Sequence, residues 1–146
     1  MIALGCDHGG YNLLAELRTM LDEMGLHYKD FGTFSEVSCD YPDIARPVAE
    51  AVAKGECERG ILVCGTGIGM SIAANKVRGI RASLCGDCFS AEMTRRHNDA
   101  NILCLGARVT GSGLAAQITK IFLETPSDGG RHANRVEKIE VQRSSN

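Results

Sequence analysis

The run Ile61-Leu62-Val63-Cys64 is followed by glycine at positions 65, 67 and 69 and then by Met70-Ser71-Ile72-Ala73-Ala74. A short apolar run of this kind reads as a strand buried on both faces, and the segment after the glycines reads as a helix. The junction delivers a thiol to the carboxyl end of a strand, beside a turn whose backbone amides can converge on an anion. A strand hidden on both sides needs helices above and below it, which restricts the chain to an α/β architecture.

The rest of the chain repeats the pattern. Ile2 to Cys6 reads as a strand ending in Asp7-His8-Gly9-Gly10, and Leu13, Leu14, Leu17, Leu21 and Met24 recur at helical spacing until Gly25. His27 to Phe31 predicts a second strand. Asp40-Tyr41-Pro42 opens a helix whose buried stripe is Ile44, Val48 and Val52. Ile68 to Lys76 is the helix after the glycine turn. Ile80 to Cys85 and Ile102 to Leu105 are further strands, with helices over Ala91–Arg96 and Leu114–Leu123. Five strands alternating with five helices predict a parallel sheet covered on both faces. Ligands of such sheets bind beyond the strands' carboxyl ends, where strand order reverses. Asp7-His8 and Cys64-Gly65-Thr66 both fall there and are expected to face one crevice.

With 146 residues, 44% hydrophobic and 23% charged, the chain predicts one soluble globular domain over residues 1–146. A net charge of −2 argues against a general nucleic-acid or membrane-surface binder. No apolar run is long enough to span a bilayer, and the opening residues read as a strand rather than a leader. Seven cysteines, several inside apolar runs, fit reduced thiols in the cytoplasm better than a disulfide framework.

The motifs admit several chemistries. The glycine turn lacks both the dinucleotide spacing and the Gly-Lys-Ser/Thr of a nucleotide-phosphate loop, which leaves an anion or oxyanion site at a helix amino end. The bland alternative is a tight turn that needs glycine for backbone reasons. Cys64 could be core, but its place beside the turn suits a reactive thiol. A small tyrosine phosphatase would carry arginine where Met70 stands. Asp7-His8 and His97-Asn98-Asp99 could equally be functional pairs or caps. Cys85-Gly86-Asp87-Cys88 has redox or zinc spacing, yet no tryptophan precedes it and no second pair exists, so Cys85 reads as a buried strand end. If Gly130-Arg131-His132-Ala133-Asn134-Arg135 is helical, Arg131 and Arg135 share a face suited to a phosphate, with Arg108 as a third cation. The segment from about 125 to 146 is expected to cross to a neighbouring subunit.

In order, Asp7-His8-Gly9-Gly10-Tyr11, Asp40-Tyr41-Pro42-Asp43, Cys64 to Gly69, Ala74-Asn75-Lys76, Arg96 to Asn101 and Gly130-Arg131-His132 resemble ribose-5-phosphate isomerases of the B type. The wider family includes galactose-6-phosphate isomerase subunits. The resemblance implies a Rossmann-like three-layer α/β/α sandwich with a five-stranded parallel sheet and a C-terminal extension. It also implies a homodimer or homotetramer with shared active sites, a sugar-phosphate substrate of pentose phosphate metabolism, and no metal or organic cofactor.

By that resemblance Cys64 is the base that moves a proton between C1 and C2. Gly65, Thr66, Gly67, Ile68 and Gly69 hold the enediolate oxyanion, and Thr66 with His97 assists ring opening. Asp7 and Asn98 hold sugar hydroxyls, Tyr41 lies in the substrate site, and His8, Arg108, Arg131 and Arg135 bind phosphate. Some members carry a glutamate base at the position of Met70. Methionine there leaves Cys64 as the candidate. Cys6 stands where serine is common, and Asn134 where a basic residue is common. Aldose–ketose isomerisation needs a base, donors to the developing oxyanion, a ring-opening acid/base and a phosphate anchor, and this chain has a candidate for each. Six-carbon substrates such as allose or galactose 6-phosphate, and a non-catalytic sugar-phosphate-binding module, remain alternatives.

Overall fold

The computed structural model describes residues 1–140. Five strands, β1 (Ile2–Cys6), β2 (Tyr28–Asp30), β3 (Arg59–Cys64), β4 (Ala82–Leu84) and β5 (Ile102–Gly106), form one sheet. Six helices accompany them: α1 (Tyr11–Glu23), α2 (Tyr41–Ala53), α3 (Ile68–Ala74), α4 (Cys88–Asn98), α5 (Ser112–Glu124) and α6 (Arg131–Ile139). Strand order is β2-β1-β3-β5-β4, with every pair parallel. The expected three-layer α/β/α sandwich is what the chain forms. Residues 141–146, the end of the predicted extension, lie outside the described residues.

The two-residue period of the strands sorts the core into two halves. Leu4, Cys6, Ile61, Val63, Leu103 and Leu105 meet α1 and α5 through Leu14, Leu17, Leu21, Ile118 and Phe122. Ala3, Leu62, Cys64, Ile102 and Cys104 face α2 and α3 through Val48, Ala49, Val52, Met70 and Ala74. The central strands β1 and β5 are buried at every residue, whereas the edge strands β2 and β4 are short and partly exposed. Strand order reverses between β1 and β3, which puts the expected ligand-binding position of such a sheet beyond Cys6 and Cys64.

Most elements differ from the sequence reading by a residue or two at an end, and the larger departures are at β4, α3 and α4. The fourth strand covers Ala82–Leu84 rather than residues 80–85, and α3 ends at Ala74 rather than Lys76. β4 is set by its pairing with β5, which runs from Ala82↔Ile102 to Leu84↔Cys104. Just after α3, the Asn75 side chain accepts from Ala82 N at 2.8 Å and donates to Ala82 O at 2.9 Å. It occupies the flank of β4 as a neighbouring strand would. α4 begins at Cys88 because Asp87 Oδ1 accepts from Ser90 N at 2.7 Å and caps the helix. Ile44 is half-buried rather than a full member of the stripe, and Ala45 takes the deeper place. Among the described residues no helix is long and apolar enough to cross a membrane.

Candidate active site

The site starts from two adjacent strand ends. Asp7 follows β1, and its backbone N–H donates to Val63 O at 3.1 Å, which locks it beside the last turn of β3. Its Oδ1 accepts from Gly9 N at 2.9 Å and Gly10 N at 3.2 Å, so one carboxylate oxygen holds the short 3-10 turn His8–Gly10. Gly10 has to be glycine, because a Cβ would lie 2.4 Å from Val63 O. His8 Nδ1 accepts from Cys39 N at 3.2 Å. A backbone amide can only donate, so the neutral ring carries its proton on Nε2 and presents a donor away from the loop.

Cys64 ends β3 and is 5% exposed. Its Sγ accepts from Gly67 N at 3.1 Å. Gly67 adopts a left-handed backbone (φ 78°), and a Cβ there would meet Leu84 Cδ1 at 2.5 Å and Leu105 C at 2.8 Å. The tight turn passes over β5 where Gly106 also lacks a side chain: a Cβ on Gly106 would strike Thr66 O at 2.5 Å. Ile68 N donates to Thr66 Oγ1 at 3.3 Å.

The other two glycines admit neighbours. Arg108 lies over Gly65, its Nη1 3.3 Å from the place of a Cβ, and its own N–H donates to Gly65 O at 2.9 Å. The Tyr41 ring lies 2.8 Å from the place of a Cβ on Gly69. Backbone contact and a left-handed conformation require glycine at 67, whereas at 65 and 69 the open space is taken by side chains of Arg108 and Tyr41. These neighbours bring a guanidinium and a phenol to opposite ends of the loop that carries Cys64 and Thr66. Asp7, His8, Tyr41, Cys64, Thr66 and Arg108 thus gather at the carboxyl end of the sheet.

His97, Asn98, Arg131 and Arg135 do not join them. α4 descends from the carboxyl end to the amino end of the sheet, and its 11 residues cover about 16 Å. Its last turn lies beside the starts of β3 and β4: Asn101 O accepts from Gly60 N, and Asn98 O accepts from Arg81 Nε at 3.1 Å. The tail is helical, as Arg131 and Arg135 require for a shared face, and α6 lies along α4. The His97 and His132 rings stack at 4.2 Å, 7° from parallel.

Sequence reasoning missed the framework of this corner. Arg95 is 1% exposed and donates to Asp99 Oδ1 at 2.9 Å, Ala100 O at 2.5 Å and Thr125 O at 3.0 Å. Arg81 bonds Asp99 O and reaches Glu140 Oε1 at 2.9 Å. Asp99 takes a left-handed backbone (φ 46°) that ends α4. The Arg95-to-Asp99 spacing of four was the available signal. The partners Thr125, just after α5, and Arg81, just before β4, were not readable.

A doubly covered parallel sheet with a thiol, an imidazole, a guanidinium and a glycine turn at its switch point defines an α/β protein equipped for acid–base chemistry on a small anion. Comparison with known proteins agrees and is more specific. The family model described as Ribose/Galactose Isomerase matches residues 2–139. Ribose-5-phosphate isomerase B of Escherichia coli is 51% identical over 138 residues, covering 94% of this chain and 93% of that protein. The solved structure of ribose-5-phosphate isomerase B from Clostridium thermocellum matches with a TM-score of 0.94 at 55% identity, covering 95% of this chain and 94% of that one. That of Thermotoga maritima matches with a TM-score of 0.93 at 48% identity, covering 95% and 96%. The chain belongs to the ribose/galactose isomerase family.

Proposed function

We propose that this chain interconverts D-ribose 5-phosphate and D-ribulose 5-phosphate, in active sites each completed by two copies of it. The observation that carries this reading is Cys64, held by the Gly67 amide at the switch point with His8 and Arg108 on the same rim. Starting from the aldose, the Cys64 thiolate takes the C2 proton, the C–H electron pair forms the C1=C2 bond, and the C1=O electron pair passes to the oxygen on C1. Transfer of the O2 hydroxyl proton to O1, followed by return of the abstracted proton from Cys64 to C1, leaves a hydroxyl on C1 and the ketone at C2. Gly67 N and Ile68 N are already engaged by Cys64 Sγ and Thr66 Oγ1, so the oxyanion role falls on the other amides of the turn and of the first turn of α3. Asp7 holds a hydroxyl with the oxygen that the 3-10 turn leaves open.

His97 and Asn98 of a second copy open the furanose ring with Thr66 and hold a hydroxyl, and its Arg131 and Arg135 join His8 and Arg108 on the phosphate. Supporting the second copy, Ile68, Ile72, Leu84 and Phe89 are all more than 40% exposed, and Leu84 touches the glycine turn. An apolar patch beside an incomplete site is where a self-complementary interface belongs. Seven free thiols fit a reducing cytoplasm.

The test mixes two inactive variants. Cys64→Ala and His97→Asn chains, unfolded and refolded together, should recover about a quarter of the wild-type sites, because half of the random dimers carry one intact site. Cys64→Ala mixed with Thr66→Ala should recover none. Failure of the first mixture would show that sites are not shared. A panel of ribose, allose and galactose phosphates, with solvent deuterium entering C1 or C2, separates pentose from hexose isomerisation and either from binding without turnover.

A further inference from the structure

His97, Asp128 and His132 come from three places: the last turn of α4, the α5–α6 connection and the first turn of α6. One ligand atom from each lies within 4.8 Å of the other two. No direct hydrogen bond closes any of the three pairs among the described residues, so the donors converge without satisfying one another. The Asp128 carboxylate is held from behind by Arg96 Nε, at 3.0 and 3.3 Å from its two oxygens. A ligating carboxylate oriented by an outer hydrogen bond is the usual support of a metal site. The backbone adds a clamp, since Asp128 N donates to Arg96 O at 3.0 Å.

We propose that His97, Asp128 and His132 bind a divalent transition metal ion of the zinc class, and that occupancy withdraws His97 from the sugar. Two imidazoles and one carboxylate suit Zn2+, Co2+ or Ni2+ and not the all-oxygen preference of Mg2+. Near-parallel rings send their nitrogen lone pairs side by side, so one ring must turn about χ2 to converge on a single ion. That torsion is broad and the rings are only half-buried, so the turn costs little. Arg131 and Arg135 on α6 oppose a cation, and Asp128 with the nearby Glu92, itself bonded to Arg96 at 3.1 Å, offsets them. The site is an inhibitory one, and only the withdrawal of His97 rests on the isomerase reading above.

The test uses the full chain, stripped with chelator and kept reduced with a phosphine, titrated with Co2+ and then with Zn2+. Saturable binding of one ion per chain is expected, with a ligand-field spectrum free of sulfur charge transfer and no competition from Mg2+. His132→Ala and Asp128→Asn should each weaken it by about 100-fold or more, since even outer-shell losses cost 10–100-fold. No residue of α6 is buried, so the His132 variant should keep its fold, checked by its melting transition. A sulfur charge-transfer band with unchanged affinity in both variants assigns the metal to the cysteines and overturns the site, as does absence of saturable binding. Zn2+ should inhibit the wild-type isomerase over the same concentration range and the two variants only at higher metal. Binding that depends on His132 but leaves wild-type turnover untouched overturns the withdrawal of His97, while leaving His132 and Asp128 standing as metal ligands. A chain that binds metal in this way but isomerises no sugar phosphate overturns the functional reading alone.

Discussion

At the carboxyl end of the sheet, Cys64 and Asp7 sit 5% and 8% exposed, placed by strand pairing, glycine contacts and bonds to backbone amides. At the opposite corner, α6 buries no residue and is held by exposed or half-exposed ion pairs, Arg96 with Asp128 and Arg81 with Glu140. The first half is part of the core. The second is a polar assembly on a helix end, and exposed ion pairs of that kind are individually weak. On the proposed isomerase reading, the reacting atoms would meet the buried half while the phosphate is held and released by the exposed one.

The largest expected effect comes from the buried half. Cys64→Ala should lower turnover by about 10²–10⁴-fold, the usual cost of a lost acid/base, with the fold intact. Near-wild-type turnover would remove the base from that end of the sheet. From the polar half, Arg135→Ala should raise KM by about 10–100-fold at nearly constant kcat, corresponding to one charge-assisted contact of about 1.5–3 kcal/mol. A KM that stays put takes α6 out of phosphate binding and breaks the comparison.

Gly106→Ala tests the packing of the buried half directly. Its Cβ would meet Thr66 backbone at 2.5–2.9 Å, where no side chain can yield, so a loss of about 1–3 kcal/mol is expected in denaturant unfolding. The same exchange at Gly113, where a Cβ meets open space, should not destabilise. Equal losses at both positions would show that the strand-end contacts are not special.

The smallest effect is a pH dependence. Burial, and then the Asp30 charge, push Cys6 from 9.0 up to about 12, and burial raises Cys104, Cys85 and Cys57 as well. Between about pH 9 and 12 the unfolded chain releases thiol protons that the folded chain retains. The unfolded state therefore binds fewer protons, and stability falls as pH rises through that window. Melting temperatures measured from pH 8 to 11 should decline, and Cys6→Ala should decline less steeply than wild type. Parallel slopes would mean that Cys6 is not held protonated.

The sheet was readable from short-range pattern because a strand buried on both faces is an unbroken apolar run and an amphipathic helix is a periodic one. Ile61–Cys64, Ile102–Leu105 and the Leu13–Leu21 stripe are such cases, and their elements formed within a residue or two of expectation. β4 was overextended because its length is set by pairing with β5 from Ala82↔Ile102 to Leu84↔Cys104, a long-range register no local pattern announces. The glycines at 65, 67 and 69 marked the loop correctly, but the groups that lie against them, Arg108, the Leu105 backbone and Tyr41, are brought there from elsewhere in the chain.

Residue types and spacing supplied the candidates, a thiol at a strand end, a glycine turn, an imidazole and arginines one helical turn apart, and the order of six motifs along the chain named the chemistry through their resemblance to a family. Their partition between two ends of the molecule was not in the spacing. It follows from the length and direction of α4, which carries His97 and Asn98 about 16 Å along the sheet before the chain turns back. Local sequence sets what a residue can do chemically. Which residues can act on one substrate is a long-range geometric matter, decided when strands and helices pack.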